Sequence, residues 1–380
     1  MSDITKSQPI PTLISAALIA WIAFKASQYS TDLALAALIG GFAGYALYHA
    51  SFGFTAGWRR IISERRGTGL RAQFVLIGVT SLISFPLIGW YGAGSFTFPF
   101  GLGVAVGAFL FGMGMQLGGG CGSGTLYTVG GGSTRMVITL TFFIIGSMFG
   151  RAHADWWGAL PSFRPYSLIK ELGTIPAMAI MAAFLIAMYM MTIVIERKSH
   201  KELEPARETG TLLKGPWSPM TGAFALAAVG IASFLVLNRP WGITSAFAVW
   251  GSKIVHALGY PIDQHPFWNV STRTIERSLF ADGTSVMNFG IMAGALAAAG
   301  LAGRYSPVLR LTSSQITTAI SGGLLMGYGA RLAYGCNIGA YLGGLVSGSL
   351  HGWVWAIAAF VGSSLVAWWR IPRSSRLAAP

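Results

Sequence analysis

Two thiols stand in matching surroundings. Cys121 and Cys336 are the only cysteines among 380 residues. The stretch from Phe111 to Ser133 reads FGMGMQLGGGCGSGTLYTVGGGS, and that from Met326 to Gly348 reads MGYGARLAYGCNIGAYLGGLVSG. At a constant offset of 215 residues, Gly112 falls on Gly327, Gly114 on Gly329, Leu117 on Leu332, Gly120 on Gly335, Cys121 on Cys336 and Gly124 on Gly339. With 51 glycines in the chain some coincidences are cheap, but both cysteines in one gapless register mark a duplication. Close packing of membrane helices explains GxG and GxxxG spacing. It leaves the repeated Gly-Cys pair unexplained.

Glycine-dense backbone exposes amide N–H groups, and a following short helix presents its positive end, so the two together hold an anion without a full positive charge. Ser123 adds a hydroxyl, with Thr125 and Thr128 beyond it. A thiol is a small, polarisable, weak donor, suited to touch a soft sulfur atom and to release it, as a conduction site must. The expected substrate site therefore comprises Cys121, Cys336, Gly120, Gly122, Ser123, Gly335 and Asn337. Gln116 extends it, as does its repeat-mate Arg331, the only Asp, Glu, Lys or Arg between Leu311 and Trp369. Lys253, after WGITSAFAVWGS, is a further candidate. The competing readings are inert packing for the cysteines, snorkelling for Arg331 and a plain segment end for Lys253. No metal-ligand cluster and no GxxxxGK[ST] loop stands in the sequence, so no metal, cofactor or catalytic set is expected and the chain reads as a non-enzyme.

Such a motif needs a scaffold, and the composition supplies one. Only 10% of residues are charged and the mean hydropathy is +0.59. From Ala72 to Thr134 there is no Asp, Glu, Lys, Arg or His, too long for one soluble core element and enough for two spans. Ten apolar segments follow one another, at 10–29, 32–57, 72–91, 99–118, 135–150, 174–195, 219–237, 285–303, 314–334 and 350–369. This is the pattern of an all-α polytopic membrane protein with Gly-rich re-entrant loops at the midplane. The net charge of +14 sits in short loops, which orients helices towards the cytoplasm and excludes nucleic acid as a partner.

Arg59, Arg60, Arg65, Arg66 and Arg71, the connector from Glu196 to Lys214, the loop with Arg304 and Arg310, and the tail with Arg370, Arg373 and Arg376 all read as cytoplasmic. Ten crossings then place both termini inside, and the two motifs run in opposite directions. The predicted organisation is a first repeat over 1–195, a solvated cytoplasmic linker over 196–218 and an inverted second repeat over 219–380. Gly78 on Gly294 and Thr55 on Thr244 are weaker anchors, with an insertion expected around Tyr260 to Asp282.

GMGMQLGGGCGSGTLYTVGGG, GLLMGYGARLAYGCNIGAYLGG, RPWGITSAF and SVMNFGIMAGA together resemble the YeeE/YedE family of sulfur transporters from about Leu33 to Trp369. Longer, SoxT-type members are similar in length. The resemblance implies an hourglass-shaped bacterial inner-membrane permease for thiosulfate or a related sulfur or selenium anion, passed between cysteines by S–H to sulfur hydrogen bonds. Cys121 and Cys336 stand where two such cysteines belong. A third is used by characterised members near HASFGFTAGWRR, where this chain has Gly53. The alternative is a sulfur-relay or sulfur-sensing membrane protein working with a cytoplasmic sulfur-carrier protein.

Overall fold

The computed structural model describes residues 7–370, of Arg370 the backbone alone. The basic tail at Arg373 and Arg376 and the extreme N-terminus lie outside the described residues. The first half holds α1 (Pro9–Ser27), α2 (Thr31–Ala50), α3 (Phe54–Glu64), α4 (Thr68–Tyr91), α5 (Leu102–Gly118), α6 (Gly122–Gly130) and α7 (Thr134–Ala152). Short α8 (Ala154–Gly158) and α9 (Leu168–Leu172) lead to α10 (Thr174–His200). Then come α11 (Pro219–Leu237), α12 (Ser245–Ala257), α13 (Thr272–Glu276), α14 (Gly283–Leu301), α15 (Ser313–Leu332), a π-helical turn at Asn337–Leu342, α16 (Gly343–Leu345) and α17 (Leu350–Arg370). The one two-stranded sheet among the described residues pairs β1 (Phe100–Gly101) with β2 (Ser162–Phe163), antiparallel, Phe100 opposite Phe163.

Local chemistry sets many helix starts. Ser30, Ser218 and Asp282 accept from backbone N–H groups three residues on, and Thr312 with Gln315 forms a reciprocal capping box. Each of the ten predicted segments contains a helix. Nine helical stretches among the described residues are long and apolar enough to cross a membrane. α15 is not one of them, because Ser313, Ser314, Thr317, Thr318, Ser321 and Arg331 dilute its apolar character. It is sandwiched between α5 and α7. The segment expected at 32–57 breaks into α2 and α3 at Ser51, which takes a left-handed φ of 47°.

Packing is by backbone contact. A Cβ at Gly44 would overlap the Ile291 carbonyl, one at Gly294 the Gly41 carbonyl, and one at Gly112 the Ala359 carbonyl. Lipid offers no hydrophobic drive between helices, so dispersion at such close approach is what holds them. The helix pairs come in exchangeable sets: α1 on α14 and α10 on α4, α14 on α2 and α4 on α11, α15 on α7 and α5 on α17, α12 on α7 and α3 on α17.

Most of the connector is exposed, at 197–202 and 205–214, but Glu196, Glu204 and Arg207 tie it to the bundle. Its first residue, Glu196, is still inside α10 and fully buried, accepting from Gly67 N at 3.1 Å, Arg66 at 3.1 Å, Arg71 at 2.7 Å and Glu204 N at 2.8 Å. Glu204 receives a two-pronged bond from Arg60, at 2.8 and 3.0 Å. Arg207 donates to the carbonyls of Ala50 and Trp217, and Trp217 N donates to His49 O at 2.8 Å. A charge run read along the sequence looks solvated; four donors converging on one carboxylate dock it. The boundary expected at 195/196 thus falls within a continuous helix.

Candidate functional site

Both cysteines occupy the same backbone position. Each is the residue just before a short helical element, with φ −87° and ψ −166° at Cys121 and φ −100° and ψ −167° at Cys336. Their carbonyls accept from Thr125 N and Ala340 N, at 2.8 Å each. The preceding turn is left-handed in both copies, at Gly119 (φ 88°) and Tyr334 (φ 60°). Gly335 takes φ 153°, open to glycine. The glycine-dense stretch is irregular over Gly119–Cys121 and again at 131–133, and between them Gly122–Gly130 forms the expected short helix, α6, where tertiary packing overrides the intrinsic glycine penalty.

The two motifs meet. A Cβ at Gly122 would lie 3.0 Å from Cys336 Sγ and 3.4 Å from Thr244 Cγ2. Glycine at 122 therefore lets the second thiol reach the first motif. Cys121 is 1% and Cys336 0% exposed, and both are free thiols. Cys121 Sγ lies 3.4 Å from Ser123 Oγ. Gly120, Gly122, Ser123, Gly335 and Asn337 are all buried beside them in the chain.

Asn337 is 0% exposed, and neither atom of its carboxamide has a hydrogen-bond partner among the described residues. Burying such a group unpaired costs roughly 1–3 kcal/mol, which a bound ligand would offset. Thr55 Oγ, Asn288 Oδ1 and Trp241 Nε1 are likewise buried and unpartnered. None of these three was among the expected site residues. The signal was present, in the Thr55 and Thr244 anchors of the repeated FGFTAGW and WGITSAF. Asn288 Nδ2 donates to Ile243 O at 2.9 Å, next to Thr244.

Other candidates are placed elsewhere. Gln116 is buried and donates to Thr55 O at 3.1 Å, which ties the helix of the first motif to α3. Lys253 Nζ donates to Ile275 O in the expected insertion. Arg331 lines a cavity of about 240 Å³ with Tyr334, Ser162 and the first turn of α5. Gly53 caps α3, and a Cβ there would meet nothing closer than Ala56 Cβ at 3.8 Å, so a side chain has room.

A buried, duplicated thiol motif inside a bundle of membrane-length helices defines a multi-pass membrane protein with an internal polar site. The chain belongs to the Sulphur transport family, whose model matches residues 49–365. It is similar to the "Probable transporter YedE" of Escherichia coli, 30% identical over 147 residues, 39% of this chain and 36% of that protein. The match therefore spans about a third of the YedE length. It is also similar to the "Thiosulfate transporter TsuA" of Spirochaeta thermophila, 26% identical over 66% of this chain and 72% of the relative. The TsuA of Escherichia coli is 25% identical over 90% of this chain and 96% of its own.

Proposed function

We propose that this protein is an inner-membrane permease for a small sulfur-containing anion, thiosulfate first, carried through the junction of its two Gly-Cys motifs. The observation that carries the reading is the seating of Cys336 Sγ against Gly122, which puts both sole thiols at one buried interface. Relatives named as thiosulfate transporters support the substrate. There the anion exchanges water for the N–H groups at the start of α6, the Asn337 carboxamide and two weak S–H donors. None of these is a full charge, so the anion is held loosely enough to leave.

The exchangeable helix pairs support an inverted duplication in which α10 begins the second copy, standing to α4 as α1 stands to α14. Arg60, Arg66 and Arg71 at the connector end of the bundle favour that end as cytoplasmic. Reconstituted vesicles test the function: labelled thiosulfate should enter and labelled sulfate should not. Uptake should be lost in the Cys121→Ala, Cys336→Ala double variant. Undiminished uptake by that variant rejects the thiol route.

A further inference from the structure

Arg331 lies in the last turn of α15. It makes no hydrogen bond and no ion pair among the described residues, although it is half-buried. Its side chain opens into the cavity of about 240 Å³, large enough for a small oxyanion with some of its water. Around it stand Pro99, Gly101 and Gly103 from the start of α5, Trp157, Ser162 and Tyr334. No carboxylate lines the cavity. Gly150 packs against the stem of Arg331, with a would-be Cβ at 2.8 Å from Arg331 Cβ, and the neighbouring Arg151 adds a second positive charge. A guanidinium presents five donors and cannot be neutralised by losing its proton. Such a group, held inside a membrane protein without an acceptor and beside a like charge, calls for an anion.

Two further features support a ligand. Gly101 precedes the 17-residue α5 without any side-chain cap; Leu102 N donates to Pro161 O at 3.3 Å, while Gly103 and Val104 of the first turn line the same cavity. Tyr334 is both a wall of the cavity and the residue two positions before Cys336, held in a left-handed conformation and stacked on Phe98 at 4.6 Å. The cavity and the second thiol therefore share one turn of backbone.

We propose that this cavity is a capture site, separate from the thiol junction, where a free divalent sulfur oxyanion docks on Arg331 before passing Tyr334 to Cys336. The step from capture to the thiols rests on the permease reading; the binding itself does not. In vesicles, Arg331→Gln should raise the KM for thiosulfate about tenfold while Vmax stays within about twofold. Arg331→Lys should fall between, since a point charge lacks the fork. Added chloride should compete in the wild type and lose its effect in Arg331→Gln.

Binding is read independently in a maltoside detergent, which carries no phosphate. There thiosulfate should raise the melting temperature of the Cys121→Ala, Cys336→Ala variant, and adding Arg331→Gln should abolish the rise. An unchanged KM together with an unchanged melting shift in Arg331→Gln overturns the proposal. So does a fall in Vmax at constant KM, which marks a structural role. A shift produced through Arg331 only by phosphatidylglycerol, and not by thiosulfate, assigns the cavity to a lipid headgroup and overturns it too. If the double cysteine variant transports normally, the thiol route fails whatever Arg331 shows. If it does not transport and Arg331→Gln behaves as wild type, only the capture site fails.

Discussion

Three arginines at the connector end of the bundle and two at the other end are treated in opposite ways. At the connector end Arg60, Arg66 and Arg71 each meet a carboxylate, and Glu196, which serves two of them, is completely buried. At the other end Arg331 and Arg151 meet none, and Arg151 Nε is satisfied only by the Asn269 carbonyl at 2.7 Å. Paired charge of the first kind fixes one segment against another. Unpaired charge of the second kind has its donors left over for something that arrives. The same residue type thus serves as a fastener in one place and as a receptor in the other, and the presence or absence of an acid decides which.

The sharpest way to break the comparison is to remove an acid where it fastens. Glu196→Ala leaves Arg66 and Arg71 facing each other without their shared acceptor and should destabilise the protein by roughly 3–5 kcal/mol. Thermal melting in detergent measures it, and a melting temperature equal to wild type would show that the connector is held by something else. The converse experiment adds an acid where one is missing. Ser162→Asp should pair with Arg331, leave melting unchanged or raised, and cut uptake efficiency about tenfold. Equal uptake would mean that the guanidinium is not a receptor.

The smallest effect belongs to the exposed half of the fastener. The hydrogen bonds from Arg60 hold the Glu204 carboxyl below the usual carboxylate range. A depressed value in the folded state means a contribution to stability that is full above the ordinary carboxylate pKa. It is lost as pH falls through the depressed one. The pair is partly exposed, so its worth is about 0–1 kcal/mol. Glu204→Gln should therefore melt slightly below wild type at neutral pH and converge with it in acid; parallel curves would contradict the pairing.

Depth along the chain was legible before the structure, and direction around each helix was not. The ten apolar segments and the register of the two cysteines followed from periodicity and repetition, and each found its helix. Arg331 and Lys253 were placed near the thiols because they are close in sequence to a motif. A residue five positions before Cys336 at the end of α15, however, turns towards β2 and α8, and Lys253 turns to Ile275 O. Thr55 and Asn288 carry no charge, so composition does not single them out; Thr55 stands out in the sequence only as a repeat anchor, and the unpartnered Thr55 Oγ1 and Asn288 Oδ1 are seen only in the structure. Within the connector, Glu196 and Glu204 could not be told from their solvated neighbours, since their arginine partners lie more than a hundred positions away.

The glycine contacts between α2 and α14 and between α5 and α17 set what the scaffold can do when an anion moves. Two helices whose main chains already touch have no slack for sliding or tilting, because any offset drives a neighbouring side chain into a carbonyl. More freedom is left to rotamers and to the short irregular stretches, Gly119–Gly120 and Ala333–Gly335, that precede Cys121 and Cys336. On the proposed function, such a body favours a hand-over between small swinging groups within a stiff wall over a rocking of one part against another.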